Sequence, residues 1–340
     1  MKVVLSPISF WFHDLCSCLQ DCIATVLLYH QHDPILTMGA AWEFYHAPAE
    51  VSREEFYHPL PRPTLAASMM PFHPIRSTWH QSDDRQAAWQ AMKAIIAQGR
   101  PVIAAVDNFY MPIRPAYGDV HAAHLMVVFG FDDAADVAYI LESTPPQFQG
   151  PLAVKQFLTA RNSANPIVGE RDFFFTGTPI NNRWLDLEPH APFPELTRDW
   201  VHEVVSTNLS RFHAPAAGAA WVGMEGLKSY LYSICERATG PDAGAALQEI
   251  YTVGWTAQSS AALHADFLMQ AGRKLDWPRL TEVGRHVDRI ANEWTVLRML
   301  GAHGFSRPPE VAERLRRRTV RFLADHEQTL ELLDWALRPV

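Results

Sequence analysis

A change of pattern near the middle of the chain most narrows what it can fold into. Up to about Thr176, short apolar runs alternate with stretches of helical periodicity; after Pro194 almost everything reads as amphipathic helix. Between them FFFTGTPINNRWLDLEPHAPFP supplies Gly, Asn and four prolines, which is loop chemistry. At 340 residues there is material for two domains. The division is expected at 1–178, a mixed domain, and 179–340, a helical one. The pattern predicts an α+β chain with an all-α second half.

Within the first half, Leu19, Cys22, Ile23, Val26, Leu27 and His30 repeat at helical spacing and predict a helix from Cys18 to His30. A second helix is expected over Arg85–Gln98, ended by Gly99 and Pro101. Strands follow at Val102–Val106, His124–Phe131 and Val137–Glu142, with another at Asp172–Thr176. The connection DDAAD is short enough for a hairpin, so at least part of the sheet is antiparallel. In the second half helices are expected at Leu196–Phe212, Gly223–Arg237, Ala245–Gln270 with a break at Gly254, Leu280–Leu300 and Pro309–Leu337. Trp200, Trp255, Trp294 and Trp335 are bulky anchors for a bundle.

Composition excludes several classes. A formal charge of −8 and the absence of a strongly basic domain argue against a nucleic-acid surface, and the basic run Arg314–Arg321 reads as a solvated helix face. No apolar run reaches the length that spans a bilayer, so no membrane association is expected. The start, MKVVLSPISFWFHDL, lacks a sustained apolar core and a cleavage site, and the expected location is the cytoplasm. Of four cysteines, three crowd between Cys16 and Cys22, unlike a disulfide framework for a chain of this size.

That crowding points to chemistry, metal binding or coincidence, and the chemical reading begins at a helix start. Ser17 and Gln20 fit a capping box, which puts Cys18 in the first helical turn. There, unpaired N–H groups and the positive helix end favour thiolate over thiol, and the same N–H groups can hold an oxyanion. A thiolate nucleophile also needs a base whose tautomer is fixed by a carboxylate or amide. His124, opening one expected strand, and Glu142, closing the next, meet that requirement. Each residue also has a plainer reading: Cys18 as a buried apolar side chain, His124 as a strand-edge histidine bonded to backbone. Cys16 is a second candidate nucleophile, since helix starts shift by a few residues.

The stretch CLQDCIATVLLYHQHD from Cys18 is similar to the N-terminal domain of butirosin biosynthesis protein H and its relatives. More distantly it resembles the bacteriocin-processing cysteine peptidases, which share a papain-like fold. VIAAVDNFYMPIRPAY and HAAHLMVVFGFDD resemble the middle region of the same family, and HADFLMQAG with ANEWTVLRML its helical domain. The resemblance implies a papain-like cysteine protease-type domain followed by a helical one. It assigns catalysis to the histidine six residues before the glycine, which is His124 rather than His121. Relatives place Asp where this chain has Glu142, and His where it has Ser17. The peptidases carry an upstream Gln for the oxyanion, where this chain reads Trp11, Phe12, His13, Asp14. Asp107, Tyr110 and His121 fall in the family-like segments and are assigned to an acyl or amine pocket.

The resemblance further implies transfer of an acyl group from a carrier-protein phosphopantetheine thioester to a small amine, through an acyl-Cys intermediate and with no cofactor. Water attack at the same site would give a thioesterase. The rivals are a cysteine peptidase built on the same residues and a non-catalytic shell that binds a carrier protein or peptide. A third is a metal site from Cys16, Cys18, Cys22 and His13 or His30, whose C-x-C-x₃-C spacing does not match common zinc ligand pairs.

Overall fold

The apolar runs of the first half join into one antiparallel sheet in a computed structural model, which describes residues 1–48, 57–169, 175–215, 220–304 and 308–338. In chain order its strands are β1 (Lys2–Val4), β3 (Ile75–His80), β4 (Val102–Asp107), β5 (Ala123–Asp132), β6 (Val137–Glu142), β7 (Phe148–Ala153) and β8 (Trp184–Pro189). Their spatial order is β3-β8-β4-β5-β6-β7, with β1 paired to the far end of β5. Every residue of β4 is buried, and β5 is buried up to its last residue, Asp132. These near-continuous apolar runs therefore form the centre of the sheet. The β5–β6 hairpin follows the expected DDAAD turn.

Helix α1 (Cys18–Tyr29) packs on β5, and α4 (Arg85–Ile96) ends two residues before the expected limit. Strand β8 lies in the stretch read from sequence as loop. The neighbouring prolines flank it and do not interrupt it, and Trp184, Leu185 and Leu187 are buried where it crosses the sheet. Strand β3 is half-exposed at the sheet edge and carries little apolar alternation to read. Of the strand expected at Asp172–Thr176, residues 172–174 lie outside the described residues.

The second half is helical: α6 (Arg198–Phe212), α7 (Gly223–Arg237), α8 (Ala243–Lys274), α9 (Pro278–Gly304) and α10 (Pro308–Leu337). The expected break at Gly254 does not occur, and α8 is continuous over 32 residues. The glycine serves close approach instead: a Cβ there would lie 2.7 Å from Arg298 Cγ of α9. The Arg298 side chain then spreads over the Tyr251 and Trp255 rings of α8. The chain is thus an α+β protein with its antiparallel sheet in the first half and its long helices in the second. Among the described residues no helix is long and apolar enough to cross a membrane.

The two halves are joined by more than the linking segment. After α2 (Pro34–Met38), residues Ala40, Trp42 and Phe44 enter the core of the helical half. There β2 (Tyr45–His46) pairs with β9 (Trp221–Val222). His264 Nδ1 lies 2.7 Å from the Gly39 carbonyl oxygen, and Asn208 donates to the Ala40 carbonyl at 2.8 Å. Gly39 admits the contact because it has no side chain; a Cβ would sit 2.3 Å from the Leu263 carbonyl oxygen, which backbone cannot yield. Gly39→Ala is therefore expected to cost about 3 kcal/mol, read as a lowered denaturant midpoint by circular dichroism.

Candidate functional site

The start of α1 is fixed from three sides. Ser17 caps the helix with extended backbone, and Gln20 Oε1 accepts the Ser17 N–H at 3.1 Å, completing the capping box. Cys18 is consequently the first helical residue, 3 % exposed. Upstream, the Leu15 carbonyl accepts from Gln258 Nε2 (2.9 Å) and Ser259 Oγ (3.0 Å), both on α8. Gln258 is held in turn by Arg298 Nη1 (2.8 Å) and the Thr295 hydroxyl (2.9 Å) of α9. His13 completes the strap. Its Nδ1 accepts the Leu15 N–H at 3.1 Å, and its Nε2 lies 3.3 Å from Asp266 on α8, a bond that raises the His13 pKa. Both ring nitrogens are committed there, on the segment where the peptidases carry their oxyanion glutamine.

Across from α1, His124 Nε2 lies 2.6 Å from Glu142 Oε2, with both residues 1 % exposed. The sheet explains the meeting. Val127 pairs with Leu141, and continuing that register sets Glu142 opposite Met126, on the face that His124 shares and one diagonal away. The contact puts Nε2, rather than Nδ1, on the carboxylate. Glu142 has further partners: its Oε1 accepts the Thr144 N–H at 2.8 Å, and Arg114 Nη1 lies 3.6 Å from Oε2 while donating to the Thr144 carbonyl at 2.9 Å.

A second carboxyl adjoins this pair. Asp21 stands one turn after Cys18, is 1 % exposed, and has Oδ2 3.4 Å from the Thr144 hydroxyl, while Oδ1 is buried without a hydrogen bond. Burial pushes its pKa up to about 7; the nearby His13 amide and the Thr144 hydroxyl offset part of that rise, and the Glu142 charge adds to it. The positive end of α1 favours the ionised form by less than burial disfavours it. Sequence reading passed over Asp21, although an acid within CLQDCIATVLLY, a helix buried along nearly its whole length, was a visible anomaly. Arg114 and Thr144 carry no comparable mark.

The other expected residues gather elsewhere. Asp107 follows Val106, the partner of His124, so it points to the opposite face of the sheet. Its Oδ2 takes His121 Nδ1 (2.7 Å) and the Ser163 hydroxyl (2.6 Å), and its Oδ1 takes the Phe109 and Ala122 amides. Those four donors commit the carboxylate to the protein. Phe109 stacks on His121, and Tyr110 meets it edge-on with ring centres 6.1 Å apart. Cys16 is buried, and burial raises its thiol well above the ordinary range, making it a poor thiolate. None of the four cysteines forms a disulfide, and among the described residues no group of three or more His, Cys, Asp or Glu is placed to hold a metal ion. A small cavity of about 50 Å³ between Gln20, Met38, Phe44, Met69 and Val253 borders α1 on the Gln20 side.

The raised Asp21 pKa makes a stability test. Between the unfolded value of 3.8 and about 7 the folded protein holds a proton that the unfolded chain has lost, so raising pH through this window removes stability. The full difference is about 4 kcal/mol. Asp21→Asn carries no such proton. Its unfolding free energy is expected to exceed that of the wild type by a margin that grows from pH 4 to 7 and then levels; parallel pH profiles would exclude a buried titrating carboxyl.

Comparison with known proteins places the segment that carries this geometry. Residues 17–143, from the cap of α1 to the residue after Glu142, match the family described as Butirosin biosynthesis protein H, N-terminal. No curated protein matches the chain. Over that segment the chain is similar to the butirosin biosynthesis protein H N-terminal family.

Proposed function

We propose that this chain is a cysteine-dependent acyltransferase of natural-product biosynthesis, moving an acyl group from a carrier-protein thioester to an amine through an acyl-Cys18 intermediate. The observation that carries the reading is the buried 2.6 Å contact between His124 and Glu142, on a sheet whose strand β5 supports the helix that Cys18 opens. Glu142 fixes the imidazole and stabilises its protonated form, and Arg114 stands 3.6 Å from the carboxylate. The Cys18 thiolate attacks the thioester carbonyl, the first-turn amides of α1 hold the oxyanion, and the departing carrier thiolate takes its proton from His124. Exchange of one thioester for another is nearly isoenergetic, so the acyl-enzyme forms without an external energy source. The family description, that of a biosynthetic protein, supports the same class of reaction.

Burial favours transfer over hydrolysis. Cys18, His124 and Glu142 are each 3 % exposed or less, so the acyl-enzyme is kept from bulk water until an acceptor arrives. A division of labour follows, in which the sheet half does the chemistry and the helical half, through α8, shapes the site and meets the carrier.

Intact mass after incubation with a panel of acyl thioesters tests the reading. The wild type is expected to gain one acyl group that amines discharge, and Cys18→Ala none. His124→Ala should slow acylation by about 10²–10⁴-fold. Cleavage of a peptide with no carrier would replace the reading with a peptidase. No adduct from any thioester, together with a Cys18 inert to alkylation, would replace it with a binding shell.

A further inference from the structure

Two buried carboxyl groups meet at Thr144, Asp21 from the first turns of α1 and Glu142 from the end of β6, and they are provisioned differently. Glu142 has His124, the Thr144 amide and Arg114 around it. Asp21 has the nearby His13 amide, one long contact to the Thr144 hydroxyl, a buried Oδ1 without a hydrogen bond, and no ion pair with any Lys or Arg among the described residues. A buried carboxyl in that condition is costly, and an Ala or Leu in its place would suit a helix that is buried along this face. Stability does not account for it. Its spacing of three from Cys18 sets it on the same side of α1, and Thr144 ties it to Glu142.

Resting on the acyltransferase reading, we infer that Asp21 is the receptor for the acceptor amine, which arrives as an ammonium, so that the acceptor is a cationic primary amine. The carboxylate supplies the missing countercharge and takes one proton as the amine docks, leaving a neutral nitrogen beside the acyl-Cys18 carbonyl. That nitrogen attacks, the C–N bond forms, and the nitrogen's second proton passes to neutral His124. The C–S bond breaks and the Cys18 thiolate returns beside protonated His124, while Asp21 releases its proton to solvent. Summed over both halves, thioester and ammonium become amide, carrier thiol and one proton, with no other reactant. A carboxyl that burial brings to about 7 exchanges its proton readily at neutral pH, which suits this task.

The test separates the two steps. The acyl-Cys18 enzyme is isolated and discharged either with a simple alkylamine, cationic at neutral pH, or with hydroxylamine, which is uncharged there. Asp21→Asn, nearly isosteric, is expected to lose about 100-fold in the ratio of alkylamine to hydroxylamine discharge. Asp21→Ser should show the same bias and guards against a misfolded first variant, as does circular dichroism of both. An unchanged ratio in either folded variant overturns the inference and leaves the acyltransferase standing, as does an equal loss with both nucleophiles. If the wild type forms no acyl-Cys18 with any thioester, the underlying reading falls instead.

Discussion

The carbonyl of Leu15 receives two hydrogen bonds from α8, and the geometry of the site follows from that anchorage. A helix N-terminus can activate a thiol only if it is held still, and the capping box settles the local turn without saying where the turn sits. Position comes from the other half of the molecule. Arg298 and Thr295 on α9 orient Gln258 on α8, and Gln258 orients the peptide that leads into Cys18. Gly254 allows the two helices to close over the Arg298 stem. The helical half therefore helps to position the start of α1, and the insertion of Ala40, Trp42 and Phe44 into its core makes separation of the halves expensive.

Electrostatics around α1 divide in a consistent way. One carboxylate is surrounded by donors and cations and stays committed to a histidine. The other has fewer partners in the same buried space, where burial brings its pKa to about 7. This acid lowers folding stability above neutral pH, which is the usual relation between a functional group and the scaffold that carries it.

Much of this was legible in the residues. The Ser17–Gln20 box and the period of Leu19, Ile23 and Val26 located α1 to within a residue, because capping and amphipathicity are local. The β5–β6 hairpin was legible for the same reason, and its register brings His124 to Glu142. What escaped was set by distant partners. Strand β8 is short and framed by prolines, and it becomes a strand because β3 and β4 offer it edges on both sides. Gly254 resembles a helix breaker until Arg298 is seen against it, and Asp107 faces away from the site because strand alternation separates it from Val106. The family resemblance read from CLQDCIATVLLYHQHD agrees with the match over residues 17–143.

The near-complete enclosure of Cys18 bears on the timing of the reaction. A thiol that is 3 % exposed cannot meet a tethered pantetheine arm while its surroundings keep their resting arrangement. Loading then requires a transient opening, and the population of the opened form multiplies every rate downstream of it. On the proposed acyl-transfer reading, where exchange between thioesters is facile, turnover would be set by how often the strap from His13 to Leu15 lets go of α8. Selection for speed would act on those few hydrogen bonds before it acted on the nucleophile.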